Sequence, residues 1–219
     1  MGRDTHRMNK VNDKLLLIGA HVLVVAMILV GLIVGRTFGS LAAVLIVCSS
    51  YWASCWALAV ASSAWPTLRQ TYQTRAKPKF RHHLLIWTPV VALPAITFLT
   101  ANKVPPVAAI LAIALASLIN GTTEEMFWRG AFVAAYPHRL ILGYVYPTVL
   151  FTSWHIALLC LPGVKYEGGA IGLLGGAAIL GTVWGLAYWR TRDLRAVSIA
   201  HVSVNLFAFT ILAGQNWLR

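Results

Sequence analysis

Acidic residues are scarce in this chain. Six Asp and Glu stand against 18 Lys and Arg in 219 residues, and charged residues of both signs make up only 11%. A soluble domain usually carries about a quarter charged residues. At 58% hydrophobic, the composition excludes an ordinary soluble fold and fits a polytopic membrane protein. Cysteine is scarce too: Cys48, Cys55 and Cys160 lie in or beside apolar segments, an odd count without CxxC spacing. That argues against a disulfide framework and a thiolate metal site, and leaves buried free thiols as the expectation. Strict alternation of polar and apolar residues is lacking, which points to membrane helices and away from a barrel. There is no internal repeat, no low-complexity tract and no second domain, so residues 1–219 are expected to form a single integral membrane domain.

The apolar runs predict an all-α, polytopic membrane helix bundle with about seven transmembrane helices, at about 15–35, 41–64, 84–101, 106–135, 140–162, 168–189 and 195–214. The first run is long for a signal peptide and reads as a retained anchor. The fourth exceeds a simple span, so it should tilt or project its Arg129 end toward the interface. Basic residues sit in short loops. One set holds Arg3, Arg7, Lys10 and Lys14, then Arg69, Arg75, Lys77, Lys79 and Arg81, then Arg139, then Arg190, Arg192 and Arg195. The other set holds only Arg36, Lys103, Lys165 and Arg219. By the positive-inside rule the first set is cytoplasmic, which places the N-terminus inside and the protein in the cell (inner) membrane. The net charge of +12 therefore reflects topology and the lipid bilayer, not a nucleic-acid partner. The stretch from Thr67 to His83 reads as the one sizeable polar loop.

Two of the few acids are adjacent, Glu124 and Glu125, at the end of an uncharged run from Pro106 to Gly121. Ionisable groups at membrane depth are costly and by default functional. On an α-helix, neighbours point about 100° apart, so the two carboxylates should have different roles. Glu125 and Arg129 are spaced to pair across one turn, which leaves Glu124 for chemistry. A carboxylate shielded from water is a strong proton acceptor and suits a general base. His155 stands one turn after Phe151, and His201 one turn before Asn205, each pair on one helix face. The reading is that Glu124 with His155 orients and deprotonates a water, that His201 and Asn205 stabilise the tetrahedral oxyanion, and that Glu125, Arg129 and Phe151 support them. Each site taken alone also fits packing or hydrogen bonding between membrane helices.

A GxSxG context is absent, and Ser153 and Ser203 are expected to bond back to helix carbonyls. The HExxH spacing is absent as well. Two histidines and a glutamate resemble a catalytic zinc set, so a zinc-dependent protease on the same residues is the alternative to a reaction that needs no cofactor. The glycines from Gly168 to Gly185 are not followed by Lys-Ser/Thr, so they read as a close-packing surface and not a phosphate loop.

These residues resemble the CAAX-protease and bacteriocin-processing (CPBP, or Abi) family of intramembrane proteases. Its motifs, Glu-Glu-x-x-x-Arg, Phe-x-x-x-His and His-x-x-x-Asn, stand here as Glu124-Glu125 with Arg129, Phe151 with His155, and His201 with Asn205, in family order. The segment from Gly185 to Thr191 is similar to a weaker family stretch, and the resemblance covers about residues 105–210 as the catalytic core. It implies a site in a conical cavity open to the membrane. It implies proteolysis with the first glutamate as the base toward water and no metal. It also implies a membrane-anchored or prenylated protein or peptide as substrate, cleaved near its C-terminus by a CAAX-type or sorting-type protease. Two rivals remain at this point. A transporter should show two related halves, which are not visible here. A non-catalytic scaffold or immunity protein of protease ancestry would be free to lose catalytic positions, and none is missing.

Overall fold

The computed structural model describes residues 11–62, 64–73, 79–100 and 106–218. Arg3, Arg7, Lys10, Arg75, Lys77, Lys103 and Arg219, used above for orientation, lie outside the described residues. The described residues form helices only: α1 (Asp13–Thr37), α2 (Ser40–Ala61), α3 (Trp65–Gln73), α4 (Phe80–Thr100), α5 (Val107–Ala135), α6 (Ile141–Leu159), α7 (Gly169–Thr191) and α8 (Leu194–Asn216), joined by turns. Six of them, α1, α2, α5, α6, α7 and α8, are long and apolar enough to cross a membrane among the described residues. The expected span at 84–101 is α4, a helix that begins earlier, at Phe80. The bundle is therefore a polytopic helical one, as the composition demanded.

Local signals set several ends. The Asn12 side chain accepts from the Leu15 N–H and caps α1, and Asp193 accepts from the Ala196 N–H and caps α8. Such caps satisfy amide groups that the helix itself leaves free. Between α7 and α8, Arg192 turns the chain with φ of 58°. Its guanidinium donates to the Pro137 carbonyl and lies over the Trp189 ring, contacts that hold this left-handed residue.

The expected polar loop from Thr67 to His83 is a helix for part of its length. Trp65, Leu68 and Tyr72 recur at helical spacing; Leu68 is fully buried, and the Tyr72 hydroxyl shares a hydrogen bond with Ser198 on α8. α3 is thus a short amphipathic helix clipped onto the bundle, and its polar residues obscured that stripe in the sequence.

Helices α5 and α8 pack along each other at the centre. The α1–α2 hairpin leans on one side of them, α4 and α7 on the other, and α6 pairs with α7 and α1. Large apolar side chains such as Ile18, Val25, Ile33, Leu115 and Ile179 face outward, while Asn120, Thr123, Glu124, Glu125, Arg129, His201 and Asn205 are buried. Membrane helices gain nothing by hiding leucine from lipid and pack instead through small residues and polar contacts. Gly121 shows this where it matters: a Cβ there would lie 2.8 Å from the Val202 backbone nitrogen. The glycine surface of α7 acts likewise, since Cβ atoms at Gly181 and Gly185 would meet the rings of Phe151 and Tyr144.

Among the described residues most basic side chains gather at one end, with Arg36 and Lys165 at the other and Arg129 inside the bundle. Asn12 bonds to Ser62, Tyr136 to Asp13, and Arg192 to Pro137 at the basic end. The opposite end is closed by Asn216 with Lys165 and by Trp217 with Ser40. Of the cysteines, Cys55 is buried, whereas Cys48 and Cys160 are only partly so, and all three are free.

Replacing Gly121 with Leu should lower stability by about 1–3 kcal/mol, because the α5–α8 contact is backbone-close. Gly176→Ala, where a Cβ meets nothing within 4 Å, should be neutral or stabilising by up to about 1 kcal/mol. Thermal unfolding of the two variants in detergent checks this difference in sign.

Candidate active site

The Glu124–Glu125 pair sits where α5 changes character. Residues Val107–Glu124 are α-helical, Glu125–Ala131 form a π-helix and Phe132–Ala135 return to α. π segments are rare and frequent at functional sites. Every residue from Glu125 to Ala131 is buried. Glu124 is 1% exposed, Glu125 0% and Arg129 3%, so the acids are not a solvated helix end and Arg129 does not project toward an interface. The helix runs on to Ala135 and carries the guanidinium inside the bundle.

Glu125 and Arg129 form the expected ion pair, with Nη1 to Oε1 at 3.2 Å. Arg129 is held further by the Gly181 carbonyl on α7 and by the Phe151 ring on α6, 4.3 Å from ring centroid to guanidinium carbon. Phe151 is thus a cation–π platform.

His201 lies between the two glutamates. Its Nδ1 is 2.8 Å from Glu125 Oε1 and its Nε2 3.3 Å from Glu124 Oε2. Adjacent side chains of one helix diverge, but so do the two nitrogens of an imidazole, and one ring reaches both. The Trp184 ring packs beside His201 with centroids 4.7 Å apart. Asn205, one turn along α8, is 7% exposed and its Nδ2 has no hydrogen-bond partner.

Glu124 is held more fully than the sequence indicated. Its Oε1 accepts from the Tyr51 hydroxyl at 3.1 Å and from Trp154 Nε1 at 3.0 Å, and its Oε2 accepts from Asn120 Nδ2 at 2.7 Å. Counting His201, the partners come from α2, α6, α8 and α5 itself. Tyr51, Trp154 and Asn120 were missed. Asn120 had a readable signal, because it stands one turn before Glu124. Tyr51 had none, as only the fold brings α2 alongside.

His155 sits at a break in α6. Its N–H bonds to the Thr152 carbonyl instead of continuing the α pattern, and its Nδ1 lies 2.8 Å from the Phe151 carbonyl oxygen. A carbonyl only accepts, so Nδ1 carries the proton and Nε2 is left as an acceptor when the ring is neutral. His155 makes no hydrogen bond to either glutamate; the Phe151 ring packs edge-on against both imidazoles, with centroids 5.1 Å from His155 and 6.3 Å from His201. Ser153 and Ser203 bond back to the carbonyls of Val149 and Ile199, as expected. Among the described residues, no group of three or more His, Cys, Asp and Glu is arranged to hold a metal ion.

Two surface cavities lie away from these residues. One of about 490 Å³ is lined by Lys165–Gly168 and Gly214–Gln215 at the end of the bundle, and one of about 410 Å³ runs along α4 from His83 to Ala92.

Removing the guanidinium with Arg129→Met should cost about 3–5 kcal/mol, since it strands a carboxylate in a dry interior. Adding Glu125→Gln should recover part of that loss. Chemical or thermal unfolding of both variants measures it.

Among comparisons with known proteins, a family model described as type II CAAX prenyl endopeptidase Rce1-like matches residues 106–207. No curated protein and no solved structure matches the chain. The matched segment contains Glu124, Glu125, Arg129, Phe151, His155, His201 and Asn205, and begins after Tyr51. Over residues 106–207 this integral membrane chain is thus similar to the Rce1-like type II CAAX prenyl endopeptidases, in keeping with the CPBP resemblance of its motifs.

Proposed function

We propose that the protein is an intramembrane endopeptidase that cleaves a membrane-held or prenylated substrate near its C-terminus, with Glu124 activating water. The observation that carries this reading is a carboxylate 1% exposed inside an apolar bundle, held by donors from two other helices and flanked by an imidazole from a third. Burying ionic groups this way is costly for a scaffold that makes no use of them.

Four contacts fill the acceptor sites of the Glu124 carboxylate, and the His201 contact at 3.3 Å is the longest. A water enters there, between Oε2 and Nε2. Glu124 takes its proton as the oxygen adds to the scissile carbonyl carbon. His155 orients that water through Nε2, the nitrogen left free by its bond to Phe151. The unpartnered Nδ2 of Asn205 donates to the carbonyl oxygen as it becomes an oxyanion, a preorganised donor of the kind that contributes most to acyl-transfer catalysis. Glu124 then returns the proton to the leaving amine. Glu125 and Arg129 fix His201 from its other side. No cofactor is required in this scheme.

The substrate is expected to stay anchored in the bilayer by a lipid or a hydrophobic segment. The basic end of the bundle, with Lys14, Arg69, Arg139, Arg190 and Arg195, faces the cytoplasm in this reading.

A panel of prenylated and tail-anchored peptides, incubated with detergent-purified protein, tests the proposal. Glu124→Gln should reduce cleavage by at least about 10²-fold, the usual scale of a general base, and a strong chelator should leave wild-type cleavage intact. Cleavage lost to chelator and restored by zinc would overturn the metal-free scheme, and undiminished cleavage by Glu124→Gln would overturn the role of that residue. On intact cells, a membrane-impermeant maleimide should label Lys165→Cys and not Arg195→Cys; the reverse pattern would invert the orientation.

A further inference from the structure

Tyr51 and Trp52 lie on α2, outside the segment that matches the family, yet both are wired to Glu124. Trp128 Nε1 donates to the Tyr51 hydroxyl at 2.6 Å, and that hydroxyl lies 3.1 Å from Glu124 Oε1. An indole N–H can only donate. The Tyr51 oxygen is therefore an acceptor toward Trp128, and its single proton is directed at Glu124. The same logic fixes the other oxygen. Trp52 Nε1 donates to Asn120 Oδ1 at 2.8 Å, which turns the amide so that Nδ2 donates to Glu124 Oε2 at 2.7 Å. A third indole, Trp154, donates to Oε1 directly and stacks on the Tyr51 ring with centroids 3.7 Å apart. Three tryptophans thus set the direction of every donor hydrogen bond onto Glu124 other than that of His201. The Tyr51, Trp128 and Trp154 contacts are fully inside the bundle, with Tyr51 0% exposed, Trp128 1% and Trp154 2%, and Trp52 is partly buried.

We propose that Tyr51 is a positioning residue for Glu124, through a Trp128–Tyr51–Glu124 chain of hydrogen bonds that holds the carboxylate in its acceptor form with Oε2 turned toward His201. The catalytic part of this inference rests on the reading of Glu124 as the base. The Trp52–Asn120 chain braces the opposite oxygen. Together they prevent the carboxylate from rotating away when a water replaces the His201 contact. Helix α2 is on this account part of the active site and not only a membrane anchor.

Tyr51→Phe keeps the ring on Trp154 and removes only the hydroxyl. With a farnesylated CAAX peptide as the probe, it should lower kcat by about 10- to 100-fold, the effect of one hydrogen bond to a charged group, with KM within about twofold. A residue that merely packs would not separate the two constants while the melting temperature stays near the wild-type value. Trp128→Phe, which keeps the phenol but frees its proton to turn, should act in the same direction, and the double variant should lose little more than Tyr51→Phe alone.

A second readout needs no turnover. A carbodiimide attacks protonated carboxyl groups, so mass spectrometry should show Glu124 labelled several-fold faster in Tyr51→Phe and in Trp128→Phe than in the wild type. Unchanged kcat together with unchanged labelling in Tyr51→Phe overturns the proposal, and if that variant does not fold, the same result in Trp128→Phe does so. Faster labelling in a protein whose Glu124→Gln variant still cleaves would uphold the positioning role and discard the base assignment.

Discussion

The structure depends on keeping two adjacent carboxylates in a place without water. Glu124 and Glu125 are both buried, and an isolated charge in such a setting is prohibitively expensive. One guanidinium, one imidazole, three indoles, a phenol and an amide converge on them or on the groups that touch them. These partners come from four helices, and the Gly181 carbonyl of a fifth holds the guanidinium, which makes the cluster the polar centre around which α2, α5, α6, α7 and α8 are assembled. Between membrane helices such contacts do the specifying, because burial of leucine does not distinguish one neighbour from another.

Close approach is what makes the cluster attainable. Side-chain hydrogen bonds reach only about 3 Å between heavy atoms, so α5 and α8 must nearly touch for Glu124 and Glu125 to meet His201. Gly121 permits it, at the point where a side chain would strike the α8 backbone. Gly181 does the same for α7 against Phe151, and its carbonyl is the one Arg129 uses. The π segment from Glu125 to Ala131 and the tightened turn at His155 are departures from regular helix at the residues with proposed chemistry, a pattern common at functional sites.

How far the site could be read from the chain differs residue by residue. Glu125 and Arg129 are four apart on one helix, and their ion pair follows from helix geometry alone. His155 and Phe151 share the same spacing, but what joins them is the imidazole taking the Phe151 carbonyl, visible only once the helix is seen to break. His201 was expected beside Asn205 as a donor, yet it lies between the two glutamates; the distance between separate helices is not written in either one. Tyr51 and Trp154 were not legible at all, since a tyrosine or a tryptophan in an apolar run looks the same whether it faces lipid or a carboxylate.

The sequence by itself determined the class of the protein. Long uncharged runs can satisfy their backbones in lipid only as helices, so a polytopic helical bundle follows from composition and length. It also determined which residues are unusual, because six acids in 219 residues leave few places for polar chemistry. Only the tertiary structure decided what those residues touch. Partner choice between helices rests on which small residues allow contact and on which donors then come within hydrogen-bond range, and both are properties of the packed bundle. For the same reason the reach of α2 into the site, through Tyr51 and Trp52, belongs to the fold and not to any motif.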